Sequence, residues 1–178
     1  MVEIINGKLA PPNVLYYREV PSGGQANFDI YVPATYGALR LDLFGKTEDT
    51  DLTDGGDAVV IAFNGDTTAT NYNYAHHAAG TGVTHLASVG NINLIGEIAN
   101  VHGGVATNIG QITGYLGNYS GSLYKSMRCI YNISKDGNDY GSQLMLHWNN
   151  TAAITRITLT TESTDDFAEG TICMVTGF

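Results

Sequence analysis

An alternation of apolar and polar residues at a period of two is the feature that most limits what this chain can fold into. It is clearest over residues 28–32, 39–43, 127–133 and 143–148. Successive side chains of a strand point to opposite faces, whereas a helix buries positions about 3.6 residues apart. No stretch has convincing helical amphipathicity, so the pattern predicts strands that each bury one face.

Turn signals separate these stretches. Pro33–Gly37 and Asn64-Gly65 each follow an apolar segment, and Asp136-Gly137 lies inside a predicted hairpin connection over residues 135–139. The apolar run 58–63 predicts a strand covered on both faces. With eight or nine strands in all, the chain is predicted to be all-β, an antiparallel β-sandwich that resembles a jelly roll more than a seven-stranded immunoglobulin-like fold.

Two stretches depart from the alternation. Residues 68–90 are polar, small and aromatic without a sustained period, which favours a long surface excursion with one helical turn. Further along, Ile154, Ile157 and Leu159 break the period by one residue. This shift predicts a β-bulge near Thr155 and Arg156.

The chain length of 178 residues indicates one domain preceded by a distinct segment. Residues 1–24 contain three of the four prolines and end in Gly23-Gly24. Proline at that density predicts an extended N-terminal arm or a leading edge strand. The division is therefore an arm over residues 1–24, packed on its own domain or on a neighbouring subunit, and a β-sandwich domain over residues 25–178.

The charge excludes several kinds of partner. The chain has 8 basic and 17 acidic side chains, a formal net charge of -9, and no basic stripe. Binding to nucleic acid or to an anionic membrane surface is therefore disfavoured. A hydrophobic content of 43% excludes a disordered chain. Residues 1–10 lack the basic and apolar regions of a signal peptide, and we expect no secretion and no membrane span.

The acidic stretch 47–57 is a candidate calcium loop. It carries four aspartates that could bring carboxylate oxygens together, Asp49, Asp51, Asp54 and Asp57. It lacks the glycine and glutamate that an EF-hand loop places at its sixth and twelfth positions. A solvated surface loop is therefore favoured over a metal site.

No other pattern predicts catalysis, a metal or a cofactor. Four of the five histidines fall in loop-like sequence, at His76, His77, His85 and His102, and His147 lies on a predicted strand; none has zinc-ligand spacing. There is no Gly-x-Ser-x-Gly elbow, and Cys129 and Cys173 stand in alternating runs that predict two small buried hydrophobes rather than a disulfide. The sequence predicts that the protein is not an enzyme.

Tyrosines are concentrated in polar, loop-like sequence, at Tyr72, Tyr74, Tyr115, Tyr119 and Tyr124. Exposed aromatic rings suit a protein interface or a platform for sugars. The same rings could instead cap the ends of the sandwich. The sequence leaves both interpretations open.

Two blocks of sequence resemble a family of tailed-bacteriophage virion proteins. The first is Ala62–Asp66, which reads Ala-Phe-Asn-Gly-Asp, with Asn71-Tyr72 after it. The second begins at Trp148 and continues through Ala153–Leu159, Asp166–Gly170 and a closing hydrophobic strand over residues 171–178. The blocks cover about a third of the chain. The ending Thr-Gly-Phe departs from the Leu-Tyr-Gly of the family, and the middle third shows no match.

The resemblance implies a sandwich fold and a place in a virion, and it carries over no catalytic residue. We expect a capsid decoration (cement) protein, assembled in the host cytoplasm as a homotrimer, whose partner is the major capsid protein or another virion protein. No cofactor is implied. The alternative is a carbohydrate-binding or receptor-binding module of a tail, baseplate or head fibre, with a glycan as its ligand.

Overall fold

The computed structural model describes residues 4–5, 8–9, 13–50, 56–80, 83–90, 93–100, 109–135 and 138–178. Its regular elements are strands and one short 3₁₀ helix (η1). In chain order they are β1 (Ile4–Ile5), β2 (Lys8–Leu9), β3 (Val14–Glu19), β4 (Phe28–Tyr31), β5 (Ala38–Thr47), β6 (Gly56–Phe63), η1 (Ala69–Asn71), β7 (Tyr72–Gly80), β8 (Val83–Gly90), β9 (Leu94–Asn100), β10 (Ile109–Gly117), β11 (Lys125–Lys135), β12 (Asn138–Trp148), β13 (Arg156–Thr161) and β14 (Ile172–Gly177). Within these ranges, no helix is long and apolar enough to cross a membrane.

The strands form a β-sandwich with jelly-roll topology. One sheet contains the strand order β3-β14-β5-β10 and the other the order β4-β13-β6-β9. The pairs within each sheet are antiparallel. Every jelly-roll connection except that from β6 to β9, which pair within the second sheet, takes the chain from one sheet to the other. The predicted all-β, jelly-roll-like sandwich is confirmed.

Two connections of the jelly roll contain additional strands. β11 and β12 continue the larger sheet beyond β10, and β7 and β8 pair in turn beyond β12. The described residues thus contain more strands than the eight or nine predicted. Residues 68–90 were predicted as a surface excursion with one helical turn; residues 69–71 do form a helical turn, η1, but residues 72–80 and 83–90 form these two strands. The predicted surface excursion was wrong because β7 carries polar and small residues on both faces, which hides its alternation.

The core lies between the two sheets, and the predicted alternation identifies its residues. The smaller sheet contributes Phe28, Ile30, Val59, Ile61, Phe63, Ile95, Ile98, Ile157 and Leu159. The larger sheet contributes Leu39, Leu41, Leu43, Ile112, Leu116, Met127, Cys129, Leu144, Leu146, Trp148, Cys173 and Val175. Both cysteines are free and buried, as predicted, and burial raises the pKa of the Cys129 thiol to about 12.

Local features of the prediction have mixed outcomes. The Asn64-Gly65 turn is confirmed, with φ of 54° and 77°, the left-handed region that tight hairpin turns use. In β6, which was predicted to be covered on both faces, Ala58 and Val60 are only half-buried. The predicted bulge near Thr155 is wrong: Ile154 is buried ahead of β13, which then pairs with β6 in regular register. The tip of the predicted 135–139 hairpin, residues 136–137, lies outside the described residues.

Part of the segment predicted as an arm belongs to the larger sheet. Val14–Glu19 pairs with β14 and forms the leading edge strand that the proline pattern allowed. In the described part of the chain, β1 pairs only with β2. Residues 1–3, 6–7 and 10–12 lie outside the described residues.

The sheets approach each other closely where β10 crosses β9. A Cβ placed on Gly110 would lie 2.5 Å from Cα of Ile98 and 2.6 Å from the backbone nitrogen of Ala99. At the other end of the same strand, a Cβ on Gly117 would have no atom within 4 Å. Of these two glycines, only Gly110 is therefore required for the sheets to pack.

We expect Gly110→Ala to lower the free energy of unfolding by about 1–3 kcal/mol, because the new methyl group meets backbone that cannot rotate away. Gly117→Ala, the control on the same strand, should change it by less than about 0.5 kcal/mol. Chemical denaturation of both variants measures the difference. Equal stability of the two would contradict this account of the sheet contact.

Candidate functional site

The candidate residues from the sequence do not converge on one metal or catalytic site. Of the acidic stretch 47–57, Asp51 and Asp54 lie outside the described residues. Asp57 begins β6 rather than a loop, is buried, and accepts hydrogen bonds from the Ser163 hydroxyl (2.6 Å) and backbone N–H (3.3 Å). Among the residues that the structure describes, no three His, Cys, Asp or Glu side chains group as metal ligands.

The histidines lie on strands rather than in loops. His76 and His77 are on β7, His85 is on β8 and His147 is on β12, while His102 lies outside the described residues. His76 stacks on Tyr131 with ring centroids 5.8 Å apart, and its Nε2 is hydrogen-bonded to the Tyr131 hydroxyl at 2.9 Å. His76 and His77 point to opposite faces of β7, since His76 is half-buried and His77 is exposed.

The five tyrosines divide between core and surface. Tyr72 and Tyr119 are 0% exposed and belong to the core, and Tyr74 is half-buried against it. The Tyr119 hydroxyl donates to the Pro33 carbonyl. Tyr115 and Tyr124 keep 41% and 68% exposure. Only these last two can offer a ring face or edge to a partner.

A polar cluster around Asp66 connects the turn after β6 with β7 and β12. The Asp66 carboxylate accepts hydrogen bonds from Trp148 Nε1 (2.8 Å), Asn71 Nδ2 (2.9 Å) and the Thr68 backbone N–H (3.0 Å). Burial alone would raise the pKa of Asp66, but these hydrogen bonds outweigh it and hold the pKa below its usual value. The Tyr72 hydroxyl donates to the Asp66 carbonyl at 2.8 Å and accepts from the Phe63 N–H at 3.0 Å.

Asn64 makes the neighbouring set of contacts. Its side-chain oxygen accepts from the backbone N–H groups of Thr155 (2.9 Å) and Arg156 (3.1 Å), and its amide donates to the Ala153 carbonyl at 2.8 Å. Above it, the rings of Phe63 and Trp148 lie 5.5 Å apart. The first sequence block therefore meets the beginning of the second, Trp148 and residues 153–156, through structural contacts.

A groove crosses the outer face of the larger sheet, away from the core. It has a volume of about 720 Å³ and runs over β5, β10, β11, β12 and β7. Its central row consists of residues directly opposite one another on consecutive strands: Asp42, Thr113, Ile130, Gln143 and His77. We call this surface the outer groove and define it by Arg40, Gln111, Thr113, Tyr115, Asn132 and Gln143, which line it together with neighbouring residues.

An ion pair between an exposed guanidinium and a buried carboxylate organises one end of the outer groove. Asp42 is only 1% exposed, although it lies on the outer face. Its carboxylate accepts from Arg40 Nη2 at 2.9 Å and from the Thr113 hydroxyl at 2.8 Å. The guanidinium of Arg40 in turn lies 5.8 Å from the centre of the Tyr115 ring. Carboxylate and ring thus hold Arg40 from two sides.

Sequence reasoning did not find the outer groove. Tyr115 was among the candidate aromatics, but Arg40, Asp42, Thr113 and Gln143 were not singled out. They lie on separate strands and have no common local motif. The sequence pattern that could have found it is formed by the outward-facing residues of each alternating strand, which are polar and uncharged over much of β10, β11 and β12.

Asp66→Asn tests the cluster at the end of the sandwich. The Asp66 carboxylate accepts hydrogen bonds through both of its oxygens, whereas an asparagine side chain has only one accepting oxygen. We therefore expect Asp66→Asn to lower the free energy of unfolding by about 1–3 kcal/mol at neutral pH. The exposed Asp165→Asn should lose less than about 0.5 kcal/mol. Because the folded pKa of Asp66 lies below the reference value of 3.8, the gap between wild type and Asp66→Asn should narrow as the pH falls below 3.8. Equal free energies of unfolding for wild type and Asp66→Asn at neutral pH would refute the stabilising role of the Asp66 hydrogen bonds.

Because of His76, the free energy of unfolding should decrease when the pH is lowered. Burial, and then the neighbouring His77, lower the pKa of His76 below its reference value of 6.5, so the unfolded chain binds a proton more readily. Its contribution is complete above pH 6.5 and decreases as the pH falls below that value. His76→Gln should flatten this slope, whereas His147→Gln on the outer face should not. Denaturation titrations between pH 7.5 and about 4.5 measure the slope, and an unchanged slope in His76→Gln would contradict the prediction.

Comparisons with known proteins add no relative to this description. No protein-family model matches the chain, and no curated protein matches it. A function must therefore be inferred from the chemistry and contacts of the residues described above.

Proposed function

We propose that this chain is a non-enzymatic structural protein of a tailed-bacteriophage virion, which decorates the capsid and stabilises it through subunit contacts. The observation that carries the proposal is the meeting of the two resembling blocks in space. Asp66 and Trp148 are 82 residues apart in sequence and are joined by a hydrogen bond of 2.8 Å. The first block and the beginning of the second are therefore neighbours in space, which supports reading them together.

The fold is compatible with this role but does not demonstrate it. Jelly rolls form viral capsid proteins as well as lectin domains. A fold hosts many functions, and the function has to be supported by particular surfaces. Here the support comes from the blocks that meet at Asp66 and Asn64, together with a chain that has only 14% charged residues. Few charges allow broad subunit contacts without a large cost of desolvation.

Decoration would work by mass action and requires no chemical step. A protein that binds the assembled shell but not its separated subunits shifts the equilibrium towards the shell. We propose a homotrimer as the binding unit, with the major capsid protein or another virion protein as its partner. The segment before β4 is the proposed contact with a neighbouring subunit.

The rival sugar-binding function loses two of the rings first considered for it. Tyr72 is 0% exposed and uses its hydroxyl within the Asp66 cluster, while Tyr74 is half-buried against the core. Replacing Tyr72 would disturb folding and would not report on a ligand. A sugar site, if the protein has one, must use other residues.

Light scattering of the purified protein measures the proposed assembly state. We expect a particle of three chains, about 57 kDa from a chain mass of 19.0 kDa. The unfolded chain in denaturant is the mass control. A monomer at micromolar concentration would count against the trimer.

Immunogold electron microscopy tests the proposed location. Antibodies raised against the purified protein should label the shells of particles from the organism that encodes it. Particles from a strain with the gene deleted are the control, and they should lose the label and break at lower temperature. Label on tails would move the protein to another virion position, and unlabelled particles would reject the virion proposal.

A further inference from the structure

We propose that the outer groove binds an uncharged oligosaccharide. The inference goes beyond the virion role and does not depend on it, because it rests on the surface of β5, β10, β11, β12 and β7 alone. The groove volume of about 720 Å³ lies within the range of pockets that hold small ligands. It crosses five strands, or roughly 19 Å at a strand spacing of about 4.8 Å, which suits an extended chain of sugar rings better than a single ring.

The polar groups of the outer groove match sugar hydroxyls. Gln111, Asn132 and Gln143 present amides, and an amide can both donate and accept. The Gln143 oxygen already accepts from Arg128 Nη2 at 3.1 Å, and Gln111 Nε2 donates to the Thr113 hydroxyl at 3.4 Å, so the remaining capacity of these groups faces the groove. Thr113 adds a hydroxyl, although that group already donates to Asp42. A sugar hydroxyl also both donates and accepts, so several neutral groups in a row can bind it without burying a charge.

Tyr115 supplies the apolar contact. Its ring is 41% exposed beside these amides, and Ile130, opposite Thr113, is 43% exposed. A sugar ring has faces of C–H groups that pack on aromatic and aliphatic carbon. An aromatic body combined with a polar tip suits such amphipathic ligands.

The groove is ordered before a ligand arrives. Asp42 fixes Arg40, and Arg40 lies against the Tyr115 ring at 5.8 Å from its centre. A ligand therefore has less side-chain freedom to remove when it binds, which favours affinity. A buried carboxylate on the outer face of a sheet is costly unless it is paired. Its position under Arg40 is consistent with a surface built to hold that side chain in one place.

The charges of the outer groove and of the whole chain determine which class of ligand can bind. Arg40 is the only Lys, Arg, Asp or Glu among the residues that define the outer groove, and it is neutralised by Asp42 at 2.8 Å. The whole chain carries a net charge of -9, which repels sulfated glycans and nucleic acids. An uncharged sugar chain fits these charges best.

Gly141 provides a way to close the groove without disturbing the sheet. It lies opposite Asn132 on the groove floor, and a Cβ built on it would have no atom within 4 Å. Gly141→Phe should place a ring in the groove, whereas Gly141→Ala adds one methyl group in open space. Comparison of the two variants separates the effect of blocking the groove from the effect of replacing the glycine.

The experiment is a glycan array of the full chain followed by calorimetric titration with cello-, malto- and N-acetylglucosamine oligosaccharides, with heparin as the anionic comparator. We expect binding to an uncharged oligosaccharide and none to heparin. Gly141→Phe should abolish binding and Gly141→Ala should retain it. Tyr115→Ala should weaken binding about tenfold, as expected for loss of roughly 1.4 kcal/mol of ring contact, whereas Tyr124→Ala should not.

Several results would overturn the proposal. They are no uncharged oligosaccharide bound by wild type, a preference for heparin, or binding that survives Gly141→Phe. Light scattering of Gly141→Phe provides a further check, because loss of self-association would make the groove a subunit interface. If Gly141→Phe fails to fold, as judged by its circular dichroism, Tyr115→Ala against Tyr124→Ala decides the question. If the protein is found in virions but binds no sugar, this proposal fails and the capsid role stands. If it binds a sugar but is absent from virions, the capsid role fails and this proposal stands.

Discussion

The hydrogen bonds that converge on the Asp66 carboxylate connect the added strands to the jelly roll. Trp148 closes β12, and Asn71 immediately precedes β7, so both added segments are attached at the point where β6 ends. The attachment adds to the pairing of β12 with β7 and to the burial of Leu144, Leu146 and Tyr72 in the core. The outer groove depends on it, because three of its five strands belong to the additions while β5 and β10 belong to the jelly roll.

Two carboxylates thus have different structural effects in this fold. Asp66 sits at the end of the sandwich and satisfies donors from three segments, which joins parts of the fold. Asp42 is buried on the outer face and holds one guanidinium, which orders a surface. In both cases the cost of removing charge from water is offset by several hydrogen bonds to the same group. Only the second arrangement has no evident role in holding the sheets together.

The two proposals concern different parts of the molecule and are compatible. Decoration uses subunit contacts of the jelly roll and its leading strand, whereas the outer groove uses the extended part of the larger sheet. A shell protein with a sugar-binding outer face would attach particles to glycan-covered surfaces. That combination would follow from the geometry of one sheet, since the added strands enlarge it without altering the order of the eight jelly-roll strands.

The sequence by itself determined the fold class and the buried face of most strands, because alternation directly records which side of a strand meets the core. Phe28, Leu41, Cys129 and Leu146 were placed correctly on this basis. It failed for β7, where the inward residues Tyr72, Tyr74 and His76 are themselves polar and so resemble loop sequence. Tyr72 can be fully buried only because its hydroxyl finds Phe63 N–H and the Asp66 carbonyl.

The tertiary structure alone decided where the candidate binding surface lies. Arg40, Thr113 and Gln143 are far apart in the chain and become neighbours through strand pairing, which no local pattern encodes. The sequence contains the outward polar residues of each strand, but their grouping depends on strand order. Strand order depends on how the connections between strands run without crossing one another, and this is a property of the whole chain.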